Sequence, residues 1–312
     1  MAGDGVPSRG PAPSRVPRSW FGRCCRRSSK VKLPETPLIL AGAVGGPFGI
    51  FLLTPLRNAL TLASQYPDGA ALDLYESVFA GGFAKGWTGG WACVPPSCPQ
   101  FIVMGPLFHF LKDLLHSAPL AVVCSSFAES TISYPSQTIN AQMAYNADQE
   151  LVGGAQVPLW SQFLPWGPGS SAHVLRNIVA LSGLRVFSKP CQAGIAKAAE
   201  AVGVPLHSEA QQFIGDFIAS MGSAILSAPL NQLYNFAVTS NEFMASGMFH
   251  RLTLARRFLV DAYIIFDSED HWTVSPTLGR DLFMRCAYIA TLYALFGAIE
   301  RLFVAVWKHF HK

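Results

Sequence analysis

Stretches without a single Asp, Glu, Lys or Arg constrain this chain more than any other feature. Pro37–Leu56 is one, Gly86–Leu111 a second with only His109 to interrupt it, and Phe217–Ser240 a third. Each reaches the roughly 20 residues that a helix needs to cross a bilayer. Three further stretches are apolar but broken: Ala118–Ala144 by Glu129, Asn177–Ala198 by Arg185, Lys189 and Lys197, and Arg285–Trp307 by Glu300 and Arg301. Charges inside a span are costly and face a protein interior or a watery cavity. Three clean and three polar stretches therefore predict a bundle of six helices around a cavity. Composition agrees: 50% of the 312 residues are hydrophobic and only 13% are charged, where a soluble domain carries about a quarter. A disordered chain, a coiled coil and an ordinary cytosolic enzyme all fit that balance poorly.

The basic balance sits at one end. Residues 1–36 hold Arg9, Arg15, Arg18, Arg23, Arg26, Arg27, Lys30 and Lys32 against Asp4 and Glu35. That segment is thus +6, and the rest of a +4 chain is −2. An Arg- and Ser-rich leader poor in acids fits an organelle-targeting extension, with a solvated tail as the alternative. No basic patch continues past it, so no nucleic-acid partner is expected. Cys24, Cys25, Cys93, Cys98, Cys124, Cys191 and Cys286 lack zinc-ligand spacing and read as reduced apolar fillers. No phosphate-cradling G-x-x-x-x-G-K-S/T loop occurs, and His109–Asp113 is one residue short of an H-x-x-x-x-D motif. His309 and His311 read as an exposed tail. The chain reads as a non-enzyme without metal or other cofactor.

Connections alternate between long and short. Leu72–Phe79 (LDLYESVF) is amphipathic and suits a helix at the membrane surface, and a charged stretch runs from Phe249 to Arg280. Span, long loop, span is the rhythm of a repeat. Thr54–Ser64 (TPLRNALTLAS), Tyr134–Ala144 (YPSQTINAQMA) and Ala228–Val238 (APLNQLYNFAV) each place a proline late in an odd-numbered span. Pro55, Pro135 and Pro229 are 80 and 94 residues apart, and each has a polar residue two positions on. A proline inside a helix removes a hydrogen bond and bends it. Three in register predict odd helices that lean toward one axis and close one end of a cavity. The chain then divides into a basic extension over residues 1–36 and repeats over 37–117, 118–203 and 204–312.

In these motifs the chain resembles the mitochondrial carrier family. The family pattern G-x-x-x-x-W/Y/F-K/R-G falls on Gly82, Trp87, Thr88 and Gly89, with the expected later proline at Pro99. The F/Y-D/E-x-x-K/R pattern falls on Phe108, His109 and Lys112, on Phe187, Ser188 and Cys191, and on Phe296, Gly297 and Glu300; Trp166 lies near the second loop helix. The resemblance implies three tandem two-helix repeats with short surface helices, an all-α membrane bundle with pseudo-three-fold symmetry. It also implies ion-pair gates at both ends, and there this sequence departs. The acidic positions of the odd helices hold Arg57, Gln137 and Asn231, and the basic ones Leu60, Asn140 and Tyr234. No acid–base pair can form at that level. Gln137, Asn140 and Asn231 would substitute neutral hydrogen bonds, with Tyr234 and Phe236 packed beside them. At the opposite end, Lys112 with Glu300 is the one pairing conceivable, so both networks read as erased.

The resemblance further implies that even-numbered helices grip the substrate midway along the cavity. Counting eleven residues back from Phe108, Phe187 and Phe296 reaches Ser97, Arg176 and Arg285, with Pro96 and Asn177 as neighbours. Two guanidinium groups facing one cavity suit a carboxylate or phosphate. The competing reading is that each arginine snorkels from a helix end; Arg185 is a rival on the fourth helix. Glu129 is read as hydrogen-bonding Ser125 or Ser126, or else as an intramembrane proton site. The functional expectation is alternating-access transport of a small anionic metabolite across the mitochondrial inner membrane. The alternative is a non-transporting carrier fold, serving as a subunit of a membrane complex or as an outer-membrane adaptor.

Overall fold

The computed structural model describes residues 36–161, 164–203, 206–266 and 271–310. The basic extension lies outside them, Thr36 excepted. Among the described residues the chain is almost entirely helical. α1 (Thr36–Ala63) is followed by α2 (Ala71–Ser77), a helix over most of the amphipathic Leu72–Phe79 stretch, which buries Leu74. A 3-10 turn at Phe83–Trp87 leads to α3 (Gly90–Ile102), which passes through a π-helical turn at Val103–Leu107 into α4 (Phe108–Leu115). α5 (Ala118–Val152) comes next. α6 (Ser170–Ser182) likewise passes through a π turn, Gly183–Phe187, into α7 (Ser188–Val202). α8 (Ser208–Thr239), the short α9 (Asn241–Ala245) and α10 (Met248–Tyr263) precede two antiparallel strands. These are β1 (Ile264–Phe266) and β2 (Trp272–Val274), with Ile265 opposite Thr273. α11 (Pro276–Phe310) completes the described chain.

α1, α8 and α11 are long and apolar enough to cross a membrane, and they mark the chain as a membrane protein. Two of them contain charge-free stretches recognised in the sequence. The third such stretch, Gly86–Leu111, is not one α-helix but is divided among the 3-10 turn, α3, the π turn and α4. Pro106 inside that π turn has no N–H to continue the ladder. α11 qualifies instead, in spite of Glu300 and Arg301. The charged stretch after α8 is also more ordered than a loop, since it holds α10 and the strand pair.

The long rods pack in chain order. α1 lies on α3, α3 on α5, α5 on α6, α6 on α8, α8 on α11, and α11 returns to α1. Glycines let α1 approach both neighbours closely. A Cβ on Gly42 or Gly46 would run into Ile102, Phe101 or Ser97 of α3, and one on Gly45 or Gly49 into Ile299 or Leu292 of α11. Pro55 leaves the Phe51 carbonyl without its helical donor, and the Trp87 indole N–H donates to that oxygen at 2.8 Å.

Beyond their prolines, α1, α5 and α8 also meet one another. Asn140 Nδ2 donates to Asn58 Oδ1 at 3.2 Å, Asn235 Nδ2 to the Leu60 carbonyl at 3.0 Å, and Thr138 Oγ1 lies 3.0 Å from the Tyr234 hydroxyl. Just outside α1, burial and a hydrogen bond to Asp148 push the Tyr66 phenol up to about 12. It therefore stays a donor over the whole ordinary pH range.

A fixed spacing links the first two pairs of rods. From Pro55 to Pro135, from Gly89 to Gly169, from the start of α3 to that of α6, and from one π turn to the next, the interval is 80 residues. Both glycines cap an even helix with φ 74°. A Cβ on Gly89 would meet Asn140, and one on Gly169 would meet Ala237 and Tyr234. Asn140 stands five positions after Pro135 and Tyr234 five after Pro229, so the same contact recurs. In this register Arg176 corresponds to Pro96 and Asn177 to Ser97, one residue away from the match obtained by counting back from Phe108 and Phe187.

Candidate functional site

All six rods contribute to one central cavity. Its charged lining comprises Arg57 from α1, Glu129 from α5, Arg176 from α6 and Arg285 from α11. Three arginines against one carboxylate leave a formal surplus of +2 in a buried space. The space at its centre is small, about 40 Å³, room for roughly three waters.

The two arginines expected at mid-cavity are both there, in different circumstances. Arg176 is 5% exposed. One of its amino groups donates to Asn231 Oδ1 at 2.6 Å and the other to Gln137 Oε1, while the guanidinium lies 4.2 Å over the Tyr234 ring. Gln137 and Asn231 are thus joined, but through an arginine and not by bonding each other. Arg285 is 4% exposed and has one long hydrogen bond, Nε to Ser227 Oγ at 3.4 Å. No carboxylate pairs with it among the described residues. Burial this deep excludes the snorkelling reading for both. Arg57 donates to Cys93 Sγ at 3.0 Å, and that thiol reaches the Ser136 carbonyl at 3.2 Å. Cys93 is therefore a hydrogen-bonding residue rather than an apolar filler.

Asn177 also lines the cavity, bonded to Glu129, to Ser130 Oγ at 3.0 Å and to His173 at 3.3 Å. Pro96 and Ser97 do not. Pro96 opens into a separate groove beside Trp91 and Pro135, and Ser97 is wholly buried, its Oγ turned to the Val94 carbonyl. One turn further along α3, Gln100 takes the place expected for them. Glu129 was legible as a carboxylate within a span, but its partners differ from those expected. Oε1 accepts from Gln100 Nε2 at 2.7 Å, and Oε2 from Ser130 Oγ at 3.3 Å and from Asn177 Nδ2. The Ser125 and Ser126 hydroxyls make no hydrogen bond.

The two ends are closed by different chemistry. At the proline end, Asn58 Nδ2 donates to the Gly86 and Thr88 carbonyls at 3.0 Å, and Asn140 Nδ2 to the Thr88 carbonyl at 3.0 Å. No ion pair joins α1, α5 and α8 there among the described residues. At the other end ion pairs survive, contrary to the reading of both networks as erased. Glu300 accepts two bonds from Arg185, at 2.8 and 3.0 Å, and not from Lys112, which is exposed. Arg301 meets Asp216 at 2.5 Å, and Asp216 also accepts from Ser188 and from Gln192 at 2.7 Å. The motif count missed these pairs because Arg185 lies within the π turn, before the closing motif, and Asp216 lies just ahead of the charge-free stretch Phe217–Ser240, outside every motif. Arg185 is a closing residue instead of a cavity cation.

No protein-family model matches the chain, and no curated protein is significantly similar to it. The functional reading rests on the cavity.

Proposed function

We propose that this chain is a carrier-type transporter of a small anion, carboxylate or phosphate in chemistry. In this reading all six rods are membrane-spanning, in three tandem two-helix repeats that rock about the central cavity. The 80-residue register of the first two pairs and the chain-order ring support the repeat. The Arg- and Ser-rich extension supports a mitochondrial inner-membrane location. One observation carries the transport reading: Arg285 is a buried cation with no carboxylate partner among the described residues, facing a cavity to which every rod contributes. Burying a charge unpaired is costly, and a protein that only needed a scaffold would gain by replacing it. An anion entering that space supplies the missing partner.

Purified protein reconstituted in liposomes should exchange radiolabelled carboxylates, phosphates, nucleotides or amino acids saturably. Arg285→Ala should abolish the exchange while the protein stays folded. Absence of flux in folded wild-type protein would overturn the reading in favour of a carrier-fold scaffold within a membrane complex.

A further inference from the structure

Glu129 stands within α5, 3% exposed, in the same cavity as Arg57, Arg176 and Arg285, and it pairs with none of them. Its oxygens are held instead by neutral donors from three elements: Gln100 of α3, Ser130 of α5 and Asn177 of α6. A carboxylate meant to cancel an arginine would sit against it. This one is kept apart, which leaves the three arginines on neutral partners and puts a negative charge beside the place an anion must occupy.

The groups facing Glu129 from the surrounding elements bear this out. α6 brings Arg176, with His173 behind Asn177; α11 brings Arg285 and Tyr293; α1 brings Arg57; and α8 brings Tyr234. α3 contributes the uncharged Gln100, and Arg185 in the π turn is already matched by Glu300. On α4, Lys112 and Asp113 are exposed. Within the cavity, then, Glu129 is the acid and the arginines are the cations.

From this arrangement, and resting on the transport reading above, we infer that Glu129 carries a proton across together with the anion. Two negative charges in so small a buried space repel each other, and repulsion favours the protonated acid. As the anion engages the arginines, a proton from the adjoining water forms an O–H bond on the Glu129 carboxylate. When the cavity opens to the other side, that O–H bond breaks and the proton leaves to water with the anion. Each turnover moves one anion and one proton in the same direction. Linkage is reciprocal, so protonation strengthens anion binding by the same factor that the anion strengthens protonation.

The test uses full-length protein in liposomes with a trapped pH-sensitive dye. Sulfate and oxalate serve as probes, because both stay fully dianionic across the range assayed. Uptake should be accompanied by internal acidification at one proton per anion. An acid-outside gradient of about one pH unit should accelerate it by up to about tenfold. In Glu129→Gln the ratio of rates with and without the gradient should fall to one, while Glu129→Asp should keep a ratio above one. Uptake without acidification in the wild type overturns the inference and leaves transport standing, as does an unchanged ratio in Glu129→Gln. If the Gln variant proves inactive, the wild-type proton count and the Asp variant decide. Failure to carry either probe in folded protein overturns both this inference and the transport reading for small dianions.

Discussion

Arg176 engages Gln137, Asn231 and, at 4.2 Å, the Tyr234 ring, whereas Arg285 has, among the described residues, one hydrogen bond to Ser227 at 3.4 Å and a more distant ring, Tyr288, at 5.8 Å. Removing the first strands two buried acceptor oxygens, and removing the second relieves a buried charge. Arg176→Leu should therefore cost about 2 to 4 kcal/mol of stability, and Arg285→Ala less than about 1 kcal/mol or even a gain. Thermal unfolding of both variants in detergent would check the order, and a greater loss in Arg285→Ala would refute it. On the proposed transport reading, the arginine that contributes less to the fold is the one that would meet the anion. At this scale the sequence disclosed the cations, since Arg176 and Arg285 interrupt or border apolar stretches. It could not disclose their partners. Gln137 and Asn231 stand 39 and 55 residues from Arg176, and Gln100 stands 29 from Glu129. Such pairings depend on which helix faces are brought together, and a proline-rich helix with a π turn shifts the face that simple counting assigns.

The start of α3 shows how an element's placement depends on one backbone conformation. Gly89 has φ 74°, where a Cβ is strained in any surroundings, and here a Cβ would also come within 3.0 Å of the Asn140 Cα. Gly153, at the end of α5, has φ 69° but open space around it. Gly153→Ala should thus cost about 1 to 2 kcal/mol, the conformational penalty alone. Gly89→Ala should cost clearly more, because α3 must move away from α5. Comparing the two unfolding midpoints isolates the contact, and equal losses would show that α3 has room to yield. Helix existence was readable from charge-free stretches, but helix ends were not. α8 begins nine residues before Phe217, and α5 runs eight beyond Ala144. Acidic residues in those extensions find partners on other elements, as Asp216 does with Arg301 of the adjoining α11 and Asp148 with Tyr66. A charge ends a hydropathy window without ending a helix.

If the molecule transports as proposed, its cavity must open, and the two ends should resist opening differently. The proline end is held by amides and carbonyls, with individual neutral bonds each contributing about 1 kcal/mol. The other end is held by Arg185–Glu300, with both side chains about nine-tenths buried, and by Arg301–Asp216. Removing one partner of a buried pair costs about 3 to 5 kcal/mol, since the other charge is left without compensation. Glu300→Gln should accordingly open the ion-pair end in preference to the amide end. A reporter cysteine placed by Ile289→Cys in the cavity wall, in a background without native cysteines, would reveal it. A membrane-impermeant thiol reagent added on the ion-pair side should label that cysteine more than about tenfold faster in Glu300→Gln. Exchanging the charges, Arg185→Glu with Glu300→Arg, should slow labelling again, because attraction across the same gap is restored. Unchanged labelling in Glu300→Gln would mean that the Phe101 and Phe296 rings, 4.7 Å apart beneath the pair, close this end by packing alone. The charge exchange separates these cases, since a purely apolar seal is indifferent to which side carries the cation.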